Sequence, residues 1–185
     1  MTIILIIVGI VVLLVLWFIA VANKLAKKKM KAEQAFADVD VYLTQRYDLI
    51  PNLVSTVKGY SKHEKETFEA VVKARNAAVN AGNMNEKIDA DNVVTEAIGK
   101  LFALAEAYPE LKANENFVKL QDSLESVEKD LVGARRYFNA AAQEYNFATK
   151  VIPDTIVAGI LGYKPISMFT ASEEQRQNVK VDFEN

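Results

Sequence analysis

The sequence predicts an all-α protein: an N-terminal transmembrane helix, an antiparallel four-helix bundle, a short apolar C-terminal segment and a flexible tail. Three observations predict this class. The 185 residues include only 7 Gly and 4 Pro, which favours long helices. The first 23 residues contain no charged side chain. From Phe36 onward, apolar residues recur at the spacings of three and four that place side chains on one face of a helix.

Residues 1–23 are predicted to form the transmembrane anchor. The run from Ile3 to Ala22 is apolar on every face and is interrupted only by Gly9. Its twenty residues would rise about 30 Å as a helix, which is the thickness of a bilayer's hydrocarbon core. Trp17 and Phe18 lie near its downstream end, where aromatic side chains meet lipid headgroups. A cleaved signal peptide would need a basic start and a shorter apolar run, so an uncleaved anchor is preferred.

Residues 24–31 form a basic segment directly after the anchor. Its positive side chains are Lys24, Lys27, Lys28, Lys29 and Lys31. The positive-inside rule then places the protein in the cell membrane as a single-pass protein, with the N-terminus outside and the C-terminal domain in the cytoplasm. The same lysines could instead bind anionic headgroups on either face of the membrane, and both interpretations can hold together.

Residues 32–150 are predicted to form the helical bundle, beginning with two helices over about 28–49 and 50–81. The boundary is set by Pro51, because a proline in a helix interior removes a hydrogen bond and clashes with the carbonyl four residues earlier. A proline is tolerated in a first turn, and Asp48 could cap a new helix there. We therefore expect a sharp bend or kink at Pro51.

Residues 82–91 are polar and are predicted to connect to a third helix, from about Asn92 to Tyr108. The fourth helix has the clearest pattern, a seam of apolar residues from Phe117 to Ala148 with alternating spacings of three and four. Such a heptad seam is typical of bundle packing or of a coiled coil. Four helices with one apolar face each must bury those faces together, which predicts the bundle.

Residues 151–169 contain the apolar run Ile156–Tyr163, which is too short to cross a bilayer. The run could pack across one end of the bundle, enter the membrane interface or dock on a partner, and its two glycines favour packing. Residues 170–185 are polar and are predicted to be a flexible tail. Within this tail, Val181-Asp182-Phe183 is either a short docking tag or part of an inert end.

The composition argues against an enzyme, a cofactor or a metal. The chain has no cysteine and one histidine, so thiolate chemistry is excluded and a di-iron site with two Glu-x-x-His motifs cannot form. His63 lies within a run of charged residues and is interpreted as part of a solvated surface. A net charge of −2 gives no reason to expect nucleic acid.

Several polar residues interrupt the apolar pattern and form the candidate partner or register surface. They are Arg46, Asp48, Asn52, Lys58, Arg135 and Arg136. Hydrogen bonding between helices would explain them as structural residues that fix the register of the bundle. The alternative is a polar groove that binds a peptide or a lipid headgroup.

The run Val39–Leu43 followed by Arg46–Val54, which reads RYDLIPNLV, closely resembles the signature of the LemA family. The resemblance continues through Val57–Tyr60, Glu115–Phe117 and Ala134–Arg136 and covers nearly the whole chain. It implies a bacterial single-pass membrane protein whose four-helix bundle has a bromodomain-like topology, a likeness of helix arrangement alone. Relatives in this family are tied to intracellular membrane organelles, and no enzymatic activity is established for it.

The sequence therefore predicts a membrane-anchored helical scaffold or adaptor that is not an enzyme. The heptad seam on a tethered chain suggests a homo-oligomer, since confinement to a membrane raises the effective concentration for weak contacts. Its role would lie in membrane organisation or envelope processes. The alternative is a binding module that presents peptides or membrane-protein segments to a partner such as a protease.

Overall fold

The computed structural model describes residues 1–61 and 63–170. In this part of the chain every regular element is a helix, which confirms the all-α prediction. The helices are α1 (Thr2–Tyr60), α2 (Lys65–Val79), α3 (Met84–Glu106), α4 (Pro109–Lys112), α5 (Glu115–Lys150) and α6 (Asp154–Ile160). The predicted tail beyond residue 170, with its possible docking tag, lies outside the described residues.

Helix α1 is continuous through Pro51, so the predicted division into helices over 28–49 and 50–81 is wrong. A proline cannot donate to the carbonyl four residues earlier, here that of Tyr47. The structure supplies another donor, because Nε of Arg75 on α2 lies 3.3 Å from this oxygen and donates a hydrogen bond to it. The chain leaves the helix only after Tyr60, and α2 begins at Lys65.

Helix α3 begins at Met84, well before the predicted Asn92, so most of the predicted polar connection is helical. A pair of hydrogen bonds similar to a capping box explains this start. The side-chain oxygen of Asn83 accepts a hydrogen bond from the backbone N–H of Glu86 at 3.0 Å. In return, Oε2 of Glu86 accepts one from the N–H of Gly82 at 2.8 Å.

Helix α5 contains the predicted seam, and the chain buries that seam itself. Asn114 caps the helix, since its side-chain oxygen accepts hydrogen bonds from the N–H groups of Asn116 and Phe117. Buried side chains then recur at intervals of seven residues, at Phe117, Leu124, Leu131, Phe138 and Tyr145. The intervening seam residues are half-buried or buried.

The chain forms two compact units, one of residues 1–46 and 124–167 and the other around residues 47–123. In the first unit, the rings of Phe36 and Phe138 meet edge to face with centroids 5.3 Å apart. In the second unit, Phe102 and Phe117 meet in the same way at 6.0 Å. Each unit thus has its own aromatic contact between two helices.

Candidate membrane and partner surfaces

The apolar start of α1 is exposed along its whole length. From Ile3 to Leu16 every residue is exposed, including Gly9. In the described part of the chain, α1 is the helix long and apolar enough to cross a membrane, and its span lies near the N-terminus. Burial begins at its downstream end, where Phe18 and Ala22 are half-buried and Trp17 remains exposed.

Several lysines of the basic segment pair with carboxylates of the C-terminal half. Nζ of Lys24 lies 2.6 Å from Oδ2 of Asp154, whose side chain is buried. Lys28 and Lys31 both approach Glu144, at 3.5 Å and 3.2 Å. The hydrogen bond from Lys31, with the positive charges of Lys31 and Lys28, holds the pKa of Glu144 below its usual value. Three of the five lysines therefore form ion pairs within the first unit, and their assignment to a membrane surface remains a prediction.

The other two lysines of the segment lie on the exposed side of α1. Lys29 pairs with Glu33 one turn later, at 3.5 Å, and such a pair within an exposed helix contributes little stability. The side chain of Lys27 is exposed.

The apolar segment after Pro153 forms α6, which packs against α1 and the end of α5. Val157 and Ala158 of α6 join a buried cluster with Val21, Leu25 and Ala148. Phe18, Ala22 and Tyr163 border this cluster. The inner face of α6 thus packs against α1 and α5, and the predicted packing across one end of a bundle remains a prediction.

The chain that follows α6 is held along α5 by hydrogen bonds. The hydroxyl of Tyr145 donates to the carbonyl of Lys164 at 2.9 Å. The side chain of Asn146 both donates to the carbonyl of Ile166 and accepts from its N–H, each at 2.8 Å. Burial raises the pKa of the Tyr145 hydroxyl, and the nearby Tyr163 and Glu33 raise it further.

Arg46, from the candidate polar surface, is buried in the first unit. Its Nε lies 2.5 Å from Oε1 of Glu128 on α5, and the Arg46 side chain is 3% exposed. A buried guanidinium needs a carboxylate partner, because an unpaired charge in the interior is strongly unfavourable. The two arginines near the end of the seam differ, since Arg135 is half-buried and Arg136 is exposed.

Asp48 lies in the second unit, beside the hydrogen bond that compensates Pro51. The Nη2 atom of Arg75 approaches Oδ1 of Asp48 at 3.8 Å, while its Nε binds the Tyr47 carbonyl. The hydroxyl of Tyr47 lies 3.4 Å from Oδ1 of Asp91, which is buried on α3. One arginine and one tyrosine thus connect α1, α2 and α3 within this unit.

Asn52 and Lys58 line two different grooves of the second unit. Asn52 borders a polar groove of about 410 Å³ that also involves Asn116, Lys119 and Ser123 of α5. Lys58 borders a groove of about 450 Å³ between α1 and α2, whose other lining residues are Val54, Phe68, Glu69, Val72, Lys73 and Asn76. The assignment of the candidate residues to a partner surface remains a prediction.

A further groove lies in the first unit between α1 and α5. Its volume is about 360 Å³, and it is lined by Asp38, Val41, Tyr42, Asp130, Ala134 and Tyr137. Val41 and Tyr137 are each more than half exposed. This surface was not predicted from the sequence, because single apolar residues outside the apolar face of a helix are common on any protein surface.

Sequence reasoning also missed the acidic partners Glu128, Glu144 and Asp154. Each lies on a different helix from the basic residue it contacts, so no local spacing marks the pair. For Asp91 a signal did exist, because it falls between Ile88 and Val94 on the buried face of α3.

The LemA family model matches residues 35–183, which is more than half of the chain. The chain belongs to the LemA family. The matched region of this LemA-family protein begins after the charge-free run and overlaps both compact units.

Two relatives illustrate how far the likeness to this LemA-family protein extends. The magnetosome protein MamQ of Magnetospirillum gryphiswaldense is 24% identical over 75% of this chain and 60% of its own length. Protein LemA of Metamycoplasma hominis is 21% identical over 85% of this chain and 72% of its own length. The chain therefore spans less than two thirds of the MamQ protein.

Within residues 1–61 and 63–170, the LemA-family protein has no group of three or more His, Cys, Asp or Glu side chains that could hold a metal ion.

Proposed function

We propose that this LemA-family protein is a membrane-anchored helical scaffold or adaptor, non-enzymatic and self-associating, that acts in membrane organisation or envelope processes. The observation that carries the proposal is the continuity of α1. One helix runs from the exposed apolar start through the basic segment and into the buried core residues Leu43, Ile50 and Val57. A span continuous with the folded part would present that part at a fixed distance from the bilayer.

The proposal includes a finer description of the fold. The long helices α1, α2, α3 and α5 would form an antiparallel four-helix bundle with the bromodomain-like topology that the family resemblance implies. This likeness concerns helix arrangement and carries no function of its own.

The proposed orientation has the N-terminus outside and the folded units in the cytoplasm, because five lysines follow the span within residues 24–31. The chain lacks cysteine, so in a single-cysteine variant the introduced residue is the only cysteine of this protein that a maleimide can label. In intact cells, a membrane-impermeant maleimide should label Thr2→Cys and leave Val93→Cys unlabelled. Val93 is an exposed residue of α3, and opening the cells should make it reactive. If the maleimide labels Val93→Cys but not Thr2→Cys in intact cells, the orientation is the opposite of the one proposed.

Self-association needs a surface other than the heptad seam, since the chain buries much of that seam itself. We assign it to the groove between α1 and α5, where Val41 and Tyr137 are exposed. Aromatic residues are enriched at protein interfaces, and tethering to a membrane strengthens weak contacts by raising the effective concentration.

We expect the full-length protein in mild detergent to have a mass above that of one chain, as measured by light scattering. Val41→Glu combined with Tyr137→Glu should reduce the mass to one chain, because it places charges on the apolar contact. Val93→Glu, an exposed substitution in the other unit, is the matched control and should keep the larger mass. A wild-type protein that remains monomeric at high micromolar concentration would exclude self-association.

The alternative proposal is a module that presents peptides or membrane-protein segments to a partner such as a protease. The groove between α1 and α2 favours it, since Val54, Phe68 and Val72 supply an apolar lining beside two lysines. An amphipathic helical segment with acidic residues would fit such a groove. A photo-crosslinker placed at Lys58 in cells should then capture one recurring partner, and the capture should be lost in Val72→Asp. The absence of a recurring product would argue strongly against this alternative.

A further inference from the structure

The outer face of α6 is apolar and exposed. Ile152, Ile156 and Ile160 follow one another at intervals of four residues, and Leu161 adjoins them. Ile152 is 83% exposed and Ile160 is 68% exposed. A cluster of large aliphatic side chains in water is unfavourable, and such a patch usually marks a binding or membrane surface.

The packing of α6 determines which part of α1 it lies beside. Its inner residues Val157 and Ala158 pack against Val21 and Leu25, with Phe18 at the border of the same cluster. Phe18 belongs to the apolar run, while Leu25 already lies beyond the first lysine. The Lys24–Asp154 ion pair of 2.6 Å secures the first turn of α6 at this level. Helix α6 therefore lies beside α1 where the charge-free run gives way to the basic segment.

We propose that the outer face of α6, together with Ile152, is a membrane-docking surface that enters the headgroup–acyl boundary of the bilayer holding α1. The inference rests on the proposed membrane anchoring. Lipid is the occupant because the packing of Val157 and Ala158 against Val21, with Phe18 at the border of the cluster, places the patch beside the end of the candidate span. The exposed Lys27 and Lys29 lie within two turns of that cluster on α1 and provide attraction for anionic headgroups.

The attachment to α1 explains how so short a helix can bind an interface. An isolated peptide of this length would bind a membrane weakly, because few apolar side chains must offset the loss of its freedom. Once α1 is inserted, α6 is already located at the interface, and its binding becomes an intramolecular step. The first unit would then contact the bilayer through α6 as well as through the span.

The test uses the full-length protein in lipid nanodiscs that hold a single chain. A polarity-sensitive fluorophore is attached to Ile156→Cys or Ile160→Cys, both at exposed positions. Val132→Cys on α5 is the matched control, since it is exposed and lies about 24 Å along the helix from Ala148. We expect lipids with a nitroxide near the headgroup to quench the two α6 probes strongly and the Val132→Cys probe hardly at all.

Trp17 is the only tryptophan, so its quenching by brominated lipid reports insertion of the span independently. Quenched Trp17 with α6 probes that behave like the control would overturn the inference and leave the anchoring intact. Unquenched Trp17 would overturn the anchoring itself. Shielding of the α6 probes only in discs with two chains would identify a second copy as the occupant and would also overturn the inference.

Discussion

Replacing Arg46 by methionine should destabilise the protein by about 2–3 kcal/mol, because the substitution leaves the Glu128 carboxylate without its buried partner. The pair is only partly enclosed, since the side chain of Arg46 is 3% exposed and that of Glu128 is 34% exposed. The expected cost is therefore below the roughly 3–5 kcal/mol that follows from breaking a fully buried pair.

A second substitution separates the charge effect from lost packing. Glu128→Gln in the Arg46→Met background removes the unpaired charge, so the double variant should be more stable than Arg46→Met alone. The measurement is the loss of helical circular dichroism with urea for the full-length protein in mild detergent. Arg136→Met is the control, because loss of an exposed arginine on α5 should change stability by about 0.5 kcal/mol at most. A cost for Arg46→Met no larger than that of Arg136→Met would contradict the assigned role.

Replacing Arg75 by methionine should cost about 1–2 kcal/mol, because the Tyr47 carbonyl would lose its donor. This oxygen has no intrahelical donor at Pro51, and Nε of Arg75 occupies the vacant position at 3.3 Å. The contact of Arg75 with Asp48, at 3.8 Å, is exposed on the Asp48 side and should add little.

The role of Arg75 can be isolated because Pro51→Ala restores an N–H that can bind Tyr47. In the Pro51→Ala background, Arg75→Met should therefore cost much less than it does in the wild type. Urea unfolding of the wild type, the two single variants and the double variant gives the coupling free energy between Pro51 and Arg75. Lys73→Met, at an exposed position on α2, is the matched control. Equal costs of Arg75→Met in both backgrounds would show that it does not compensate for the proline.

The elements with strong local patterns were predictable. The charge-free run of the first 23 residues predicted the apolar part of α1, and the seven-residue recurrence of large side chains predicted α5. Both signals are repeated many times within one helix, so no tertiary contact is needed to recognise them.

The errors arose where a distant residue or a short polar motif decided the structure. Pro51 predicted a helix break, and the hydrogen bond from Arg75 on another helix, which helps α1 to continue, could not be seen in the sequence. The start of α3 carried the signature Asn83-x-x-Glu86, but its polar composition suggested a loop. The candidate surface could also be predicted only in part. Arg46 is recognisable in the sequence as a polar residue within an apolar pattern, but no local spacing identifies Glu128 as its partner.

The proposal of a self-associating membrane scaffold is tested most directly by counting chains in native membranes. Val93→Cys, labelled with a fluorophore in opened cells, would be followed in carbonate-washed vesicles by single-molecule photobleaching. We expect the label to stay with the vesicles and to bleach in several steps per spot. Label lost in the wash, or spots that bleach in single steps at full labelling, would contradict a membrane-anchored, self-associating protein.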